Sequence, residues 1–288
     1  MKSFLLFLFF GFCVLIAKAQ DFPVDSIFSE GIPIKTVNST ILNEMSGLAF
    51  SKMHQDLLYV HNDSGGEPIV YILDSLGNVL GEIELLGAKN RDWEDIAVGP
   101  GKDGQSSIYV GDIGDNSAQY EYITVLRLPE PLHLKSSMRV PPEKINLRYP
   151  EGPMDAETLM VDPLSGDLFI ISKRDQQNTL FRLPAEKFED GEAILEEVLK
   201  LSITSSTGGD ISQDGAQIII KNYLEVYYWQ RMGDEEIGKS LVRDPFRLPY
   251  SPEPQGEAIG FTPLGEAFYT ISEVRFEIQP VLYRYPKK

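Results

Sequence analysis

The sequence has one cysteine in 288 residues and only three histidines. The cysteine, Cys13, sits in an apolar N-terminal run, so a processed chain would have no disulfide, no thiol nucleophile and no thiolate metal ligand. Three histidines without thiolates do not make a typical zinc set. Basic residues are scarce as well: 26 Lys and Arg face 43 Asp and Glu, a formal net charge of −17 at pH 7. Nucleic acids and anionic lipids are held through basic patches, so neither is an expected partner. Hard cations are, and so are small-molecule or protein ligands. Also missing are the G-x-S-x-G elbow, the H-E-x-x-H motif, the P-loop and the dinucleotide fingerprint. Beyond residue 16, no stretch approaches the roughly 20 apolar residues that a membrane span requires.

What is present begins with an export signal. Lys2 gives the positive start, Phe4 to Ile16 the apolar run, and Ala17-Lys18-Ala19 the cleavage site. Phe12 before Cys13 does not suit a lipoprotein box. The expected organisation is a signal over residues 1–19 and one domain over residues 20–288, periplasmic or secreted and monomeric. Removing the signal takes away Lys2 and Lys18 but no acid. The hydrophobic share of 42% and the aromatic share of 10% exclude disorder.

Self-similarity decides the fold. Five segments align: Glu44-Met-Ser-Gly-Leu-Ala-Phe50, Asp92-Trp-Glu-Asp-Ile-Ala-Val98, Asp155-Ala-Glu-Thr-Leu-Met-Val161, Thr207-Gly-Gly-Asp-Ile-Ser-Gln213 and Gln255-Gly-Glu-Ala-Ile-Gly-Phe261. A Gly-, Pro- or Asp-rich turn follows the last four, as in Gly99-Pro100-Gly101 and Asp162-Pro163, and then a β-rich run. A third, aromatic and branched run comes after, as in Val70-Tyr-Ile-Leu73 and Val226-Tyr-Tyr-Trp229. Fourth strands read at 79–86, 144–149 and 195–203. This spacing predicts an all-β propeller of five blades, each a four-stranded antiparallel sheet. Six blades is the alternative, because residues 129–153 are long enough to hide extra strands. The stretch Ile32 to Val37 is left over and is expected to close the ring as the outer strand of the last blade.

The repeat also organises the chemistry. In an antiparallel hairpin the start of one strand and the end of the next share an edge. The acids Glu44, Asp92, Glu94, Asp155, Glu157, Asp210 and Glu257 therefore fall at one mouth of the central channel. With them fall the polar column Asn62, Asp112, Ser172, Asn222 and Ser272 and, one step on, Asp63, Lys173 and Glu273. Crowded carboxylates raise one another's pKa. They need a bound cation, salt bridges or shared protons. The oxygen donors Glu44, Asn62, Asp92, Glu94, Asp112, Glu157, Asp210, Asn222 and Glu257 suit Ca²⁺ or Mg²⁺. The competing reading makes the recurrent Glu a staple that accepts backbone N–H groups from the neighbouring blade, with Arg91, Lys173, Arg174 and Lys221 neutralising other acids. His61 and Asp63, in His61-Asn-Asp-Ser-Gly-Gly66, are candidate catalytic residues, the imidazole as general base; a hydrogen-bonded turn is the alternative. Asp112 to Asn116 reads as a solvated turn, and Trp93, Asp95 and Trp229 as structural.

Met45-Ser-Gly-Leu-Ala, Glu94-Asp-Ile-Ala and Gly256-Glu-Ala-Ile-Gly resemble the phytase-like (esterase-like) bacterial propellers. The whole mature chain is similar to exported bacterial propellers with D-W-E-D-I-A and G-D-I-G-D-N segments. A more distant likeness is to the gluconolactonase and paraoxonase propellers. That likeness implies calcium at the channel mouth, with Asn62, Glu94, Asp112 and Asn222 similar in kind and position to those families' ligands. It also implies hydrolysis of esters, lactones or phosphoesters. A non-catalytic propeller that binds a ligand or protein remains the alternative.

Overall fold

The computed structural model describes residues 22–37 and 40–288. The expected signal peptide, Cys13 and the cleavage site lie outside these residues. No described helix is long and apolar enough to cross a membrane.

The chain forms a five-bladed propeller. Strand β1 (Ile32–Thr36) comes first, followed by the first blade with β2 (Met45–Phe50), β3 (Leu57–Asn62), β4 (Ile69–Asp74) and β5 (Val79–Leu85). The second blade has β6 (Trp93–Pro100), β7 (Ser106–Asp112) and β8 (Ile123–Pro129); β9 (Ser137–Val140) then leaves it to pair in parallel with β5, and β10 (Glu143–Arg148) returns. The third contains β11 (Ala156–Val161), β12 (Leu168–Ser172) and β13 (Thr179–Leu183). Next, β14 (Glu192–Ile194) reaches back to pair in parallel with β10, and β15 (Glu196–Lys200) completes the third blade. The fourth is β16 (Gly208–Ile211), β17 (Gln217–Lys221), β18 (Val226–Gln230) and β19 (Phe246–Leu248). The fifth is β20 (Gly256–Phe261), β21 (Ala267–Ser272) and β22 (Val281–Pro286), with β1 antiparallel to β22.

The expected blade number and ring closure are therefore both present. Residues 129–153 do hold an extra strand, but it widens the first blade instead of making a sixth. Two blades have five strands where four were expected, because β9 and β14 each shield an outer edge that would otherwise stay open.

Strand periodicity explains why the ring holds. Side chains alternate between the two faces of each sheet, and here both faces are covered. Leu58 and Val60 pack toward the fifth blade with Tyr269 and Ile271, whereas Tyr59 between them packs toward the second with Ile96 and Val98. Each of the five apolar clusters lies between two neighbouring blades. Trp93 and Trp229 are buried in two of them. Burial on both faces at about 25 cal/mol per Å² makes these five layers the main source of stability.

The inner strands β2, β6, β11, β16 and β20 touch their neighbours around the axis. Small residues allow it: a Cβ on Gly260 would lie 2.7 Å from the carbonyl oxygen of Leu48 on the next blade.

Candidate metal centre at the channel mouth

In four of the five inner hairpins the register slips by one residue, between Met45 and Gly47, Trp93 and Asp95, Ala156 and Thr158, and Gly256 and Ala258. The unpaired residue of each β-bulge is Ser46, Glu94, Glu157 or Glu257. A bulge re-aims a side chain that strict alternation would commit to a sheet face. The fourth hairpin is regular, with Gly208 opposite Lys221, which leaves Thr207 at the corresponding point. An inner ring thus reads Ser46, Glu94, Glu157, Thr207 and Glu257. One residue beyond the second strand's polar column lies an outer ring, Asp63, Ile113, Lys173, Tyr223 and Glu273.

Two groups of carboxylates come together here. Asp63, Asp92 and Glu94 present oxygens within 4.8 Å of one another, and so do Glu94, Glu157 and Glu257. Glu94 belongs to both. Glu94, Glu157 and Glu257 are only 4%, 4% and 3% exposed, a costly state for ionised groups unless it is compensated. Burial, then the charges of Glu157, Asp63, Glu257 and Asp92, push the Glu94 carboxyl well above its ordinary range. Burial and Glu257 raise Glu157 to about 8 against the pull of Lys173. Burial with Glu257 and Asp63 raises Glu273 to about 9, and burial raises Asp63 to about 7. Asp92 is raised by burial and by Asp155 and Asp112.

Compensation is one-sided. The Lys173 ammonium pairs with Glu157 and lies 3.9 Å from Glu257 Oε1. The Tyr223 hydroxyl accepts from Lys173 Nζ at 2.7 Å and donates to Glu257 Oε1 at 2.7 Å. Gln255 Nε2 donates to the same oxygen at 3.3 Å. Glu157 Oε2 is buried without a hydrogen-bond partner. Among the described residues, no Lys or Arg forms an ion pair with Asp63, Asp92 or Glu94. Arg91 lies instead 3.7 Å from Asp112 and over the ring of Tyr120. Glycine at 114 gives these acids room, because a Cβ there would push Glu94 Oε1 and Asp92 Oδ2 aside.

Other expected ligands are engaged elsewhere. Asp112 Oδ1 accepts the Asp92 amide at 2.9 Å. Asn62 accepts from the Glu44 amide at 3.3 Å and donates to Ile41 O at 2.7 Å, and Glu44 itself is exposed. Asn222 accepts the amides of Leu224 and Glu225 at 2.9 and 2.8 Å, closing its own turn. Asp210 lies deeper along the regular fourth hairpin, opposite Ile219. Its carboxylate accepts the amides of Ile211 and, on the fifth blade, Phe261, both at 2.8 Å. Asp95 does the same between the second and third blades, taking the amides of Ile96 and Leu159 at 2.9 Å each. The staple function expected of the recurrent Glu thus falls to Asp95 and Asp210. Among the described residues, no backbone N–H is donated to Glu94, Glu157 or Glu257.

His61 is fully buried. Its ring stands edge-on to Trp93 at 5.6 Å, and Nδ1 faces the Asn62 carbonyl oxygen at 3.0 Å. Burial lowers it to about 4, and Gly47 leaves room for it, since a Cβ there would come within 2.5 Å of Nε2. A base must reach the proton it takes, and this ring has no open face. The 112–116 turn, expected to be solvated, is buried at Asp112 and Asp115. Asp115 Oδ2 accepts the amides of Gln119 and Tyr120 at 2.7 Å each. Tyr223 carried no weight in the sequence; its signal was its place one step past Asn222, in the column of Asp63, Lys173 and Glu273.

Comparison with family profiles and with curated proteins gives no match. Among solved structures, the chain is similar to the PQQ-bound aldose sugar dehydrogenase from Streptomyces coelicolor: 12% identity, TM-score 0.53, covering 93% of this chain and 100% of that one. It is also similar to a gluconolactonase from Xanthomonas campestris, with 13% identity, a TM-score of 0.51 and 89% of each chain covered. The likeness is one of fold. At this identity it carries the propeller architecture and no site residue.

Proposed function

We propose that the chain is an exported propeller that binds a divalent cation at its acidic mouth and hydrolyses esters, lactones or phosphoesters there. The observation that carries this reading is the Asp63, Asp92 and Glu94 group, three carboxylates whose oxygens lie within 4.8 Å of one another, without an ion-paired base among the described residues. An all-oxygen donor set suits a hard cation, and Ca²⁺ holds oxygens at about 2.3–2.6 Å with several positions left for water or substrate. Glu94, 4% exposed and pushed well up by burial and by the carboxylates around it, is in the state that a bound ion relieves, so the residues fit such an ion. When bound, it would supply a Lewis acid toward a carbonyl or phosphoryl oxygen. Mg²⁺ is the alternative ion.

The chain's own groups would manage protons. Glu273, raised to about 9 in the ion-free site by burial and by Glu257 and Asp63, would be the group that carries a proton at neutral pH. The fold likeness to a gluconolactonase supports lactones within the substrate range, and the phytase-like resemblance supports phosphoesters.

The test is turnover. Chelator-stripped protein should be inactive on model lactone, ester and phosphoester substrates and recover activity on at least one with Ca²⁺ or Mg²⁺. Turnover unaffected by chelation, or no turnover with either ion, would remove the hydrolase reading. The burial of His61, which leaves no imidazole at the mouth, favours a second reading, a cation-stabilised module that binds a small molecule or protein. A melting temperature that responds to Ca²⁺ without turnover would select it.

A further inference from the structure

We propose that Lys173 is a built-in cation occupying the Glu157 and Glu257 half of the mouth cluster, so that the cluster takes one divalent ion and removal of the ammonium opens a second site. This rests on the reading of Asp63, Asp92 and Glu94 as a cation site.

The five carboxylates of the two groups fall into two halves that share Glu94. On one side, Asp63 and Asp92 meet Glu94 with no ion-paired base among the described residues; Arg91 pulls on Asp92 from a distance while pairing with Asp112. On the other, Glu94, Glu157 and Glu257 form a second group whose oxygens also lie within 4.8 Å of one another, close enough to share one ion. Here the Lys173 ammonium touches Glu157 and stands 3.9 Å from Glu257. A second divalent ion would have to share that space with a like charge, which low-dielectric surroundings penalise strongly.

The ammonium is held there by more than attraction. Lys173 is 8% exposed. Its amide donates to Asp155 O at 2.9 Å, and its carbonyl oxygen accepts from the buried Asn178 Nδ2 at 2.9 Å. With the backbone fixed on both sides and Nζ bonded to Tyr223, the side chain has little freedom left to lose. A free ion competing for the same place would have to displace a tethered charge whose effective concentration is high.

The signature of an ion site lies under the ammonium. Glu157 uses one oxygen for Lys173, and its other oxygen, Oε2, is buried with no partner. Removing the ammonium leaves Glu94, Glu157 and Glu257 as three buried carboxylates without an ion-paired base among the described residues; the buried Lys221, whose Nζ donates to Gly256 O, still acts on Glu257 and Glu157 from beyond ion-pair distance. Tyr223 and Gln255 would still orient Glu257.

The experiment is equilibrium dialysis of chelator-stripped protein against Ca²⁺, with bound ion counted by elemental analysis, for the wild type, Lys173→Met and Lys173→Gln. The expected counts are one ion for the wild type and two for either variant. Lys173→Gln keeps a polar group toward Glu157 and Tyr223, and it serves if Lys173→Met does not fold. One ion in both the wild type and the variants would overturn the inference and leave the first site standing. No ion in the wild type and one in the variants would support Lys173 as the resident cation while removing the first site. No ion in any of them would overturn both, and two in the wild type would overturn the inference alone.

Discussion

Asp95 on the second blade reaches across the interface to the third, where its Oδ2 accepts the backbone N–H of Leu159 at 2.9 Å. The adjacent residue, Glu94, accepts no backbone N–H from the described residues and faces other carboxylates. Two neighbouring acids on one strand therefore serve opposite ends: Asp95 joins blades, and Glu94 sits among carboxylates that hold its own carboxyl well above the ordinary range.

Replacing Asp95 with alanine would leave the Ile96 and Leu159 amides without their acceptor. An unmade buried hydrogen bond costs about 1–3 kcal/mol, so Asp95→Ala should lose roughly 2–4 kcal/mol in denaturant unfolding. Asp210→Ala should do the same on the fourth and fifth blades. A loss of under about 0.5 kcal/mol, the usual size for a neutral surface site, would show that the staples are decorative.

The pH dependence of the metal-free protein should run opposite to that of a protein with salt-bridged acids. Asp63 and Glu253 are raised to about 7, Glu157 to about 8 and Glu273 to about 9. The folded state then binds more protons than the unfolded chain between the ordinary carboxyl range and these values, so stability falls as pH rises. His61, lowered to about 4, acts the other way but only below its unfolded value near 6.5. Lys221, lowered to about 8, acts the other way only above that. Between pH 6.5 and 8 the carboxylates alone decide. Melting temperature in chelator should drop across this interval, and saturating Ca²⁺ should shrink the drop. A rise in melting temperature over the same interval would contradict the electrostatics.

His61→Ala separates packing from catalysis. A cavity against Trp93 should cost about 2–4 kcal/mol, while turnover per folded molecule should be unchanged. A general base would instead be worth about 10²–10⁴-fold in rate, and a loss of that size with the fold intact would restore His61 to the chemistry.

Gly114→Ala tests the site without removing a charge. Its methyl group would displace Glu94 Oε1 and Asp92 Oδ2, so Ca²⁺ affinity measured by calorimetry should fall, while circular dichroism stays unchanged. Unaltered affinity would place the ion away from these two oxygens.

The fold was legible because five blade openings repeat with alternating apolar residues, and because Ile32 to Thr36 had no other sheet to join. β9 was not legible: Ser137–Val140 is short and largely exposed, without the period-two apolar signal of a core strand. The acids were found, but their grouping was not. A single extra residue in a strand exchanges its two faces, and bulges at Glu94, Glu157 and Glu257 leave no mark in the sequence. The fourth blade lacks the bulge, so Asp210, which shares the acids' place near a strand start, faces the interface with the fifth blade. Asn62, Asp112 and Asn222 are the right type at the right edge, yet local amides claim their oxygens, which spacing cannot foresee.

Glu94 belongs to both carboxylate groups, so calorimetric titration of Ca²⁺ into stripped wild type and Glu94→Gln is the most direct measurement. Even outer partners of metal ligands are worth about 10–100-fold in affinity. Saturable binding by the wild type, weakened by about tenfold or more in Glu94→Gln while the variant melts no lower without metal, is the expected result. Equal affinity in the two proteins, or no binding by the wild type, would contradict a cation site at this mouth.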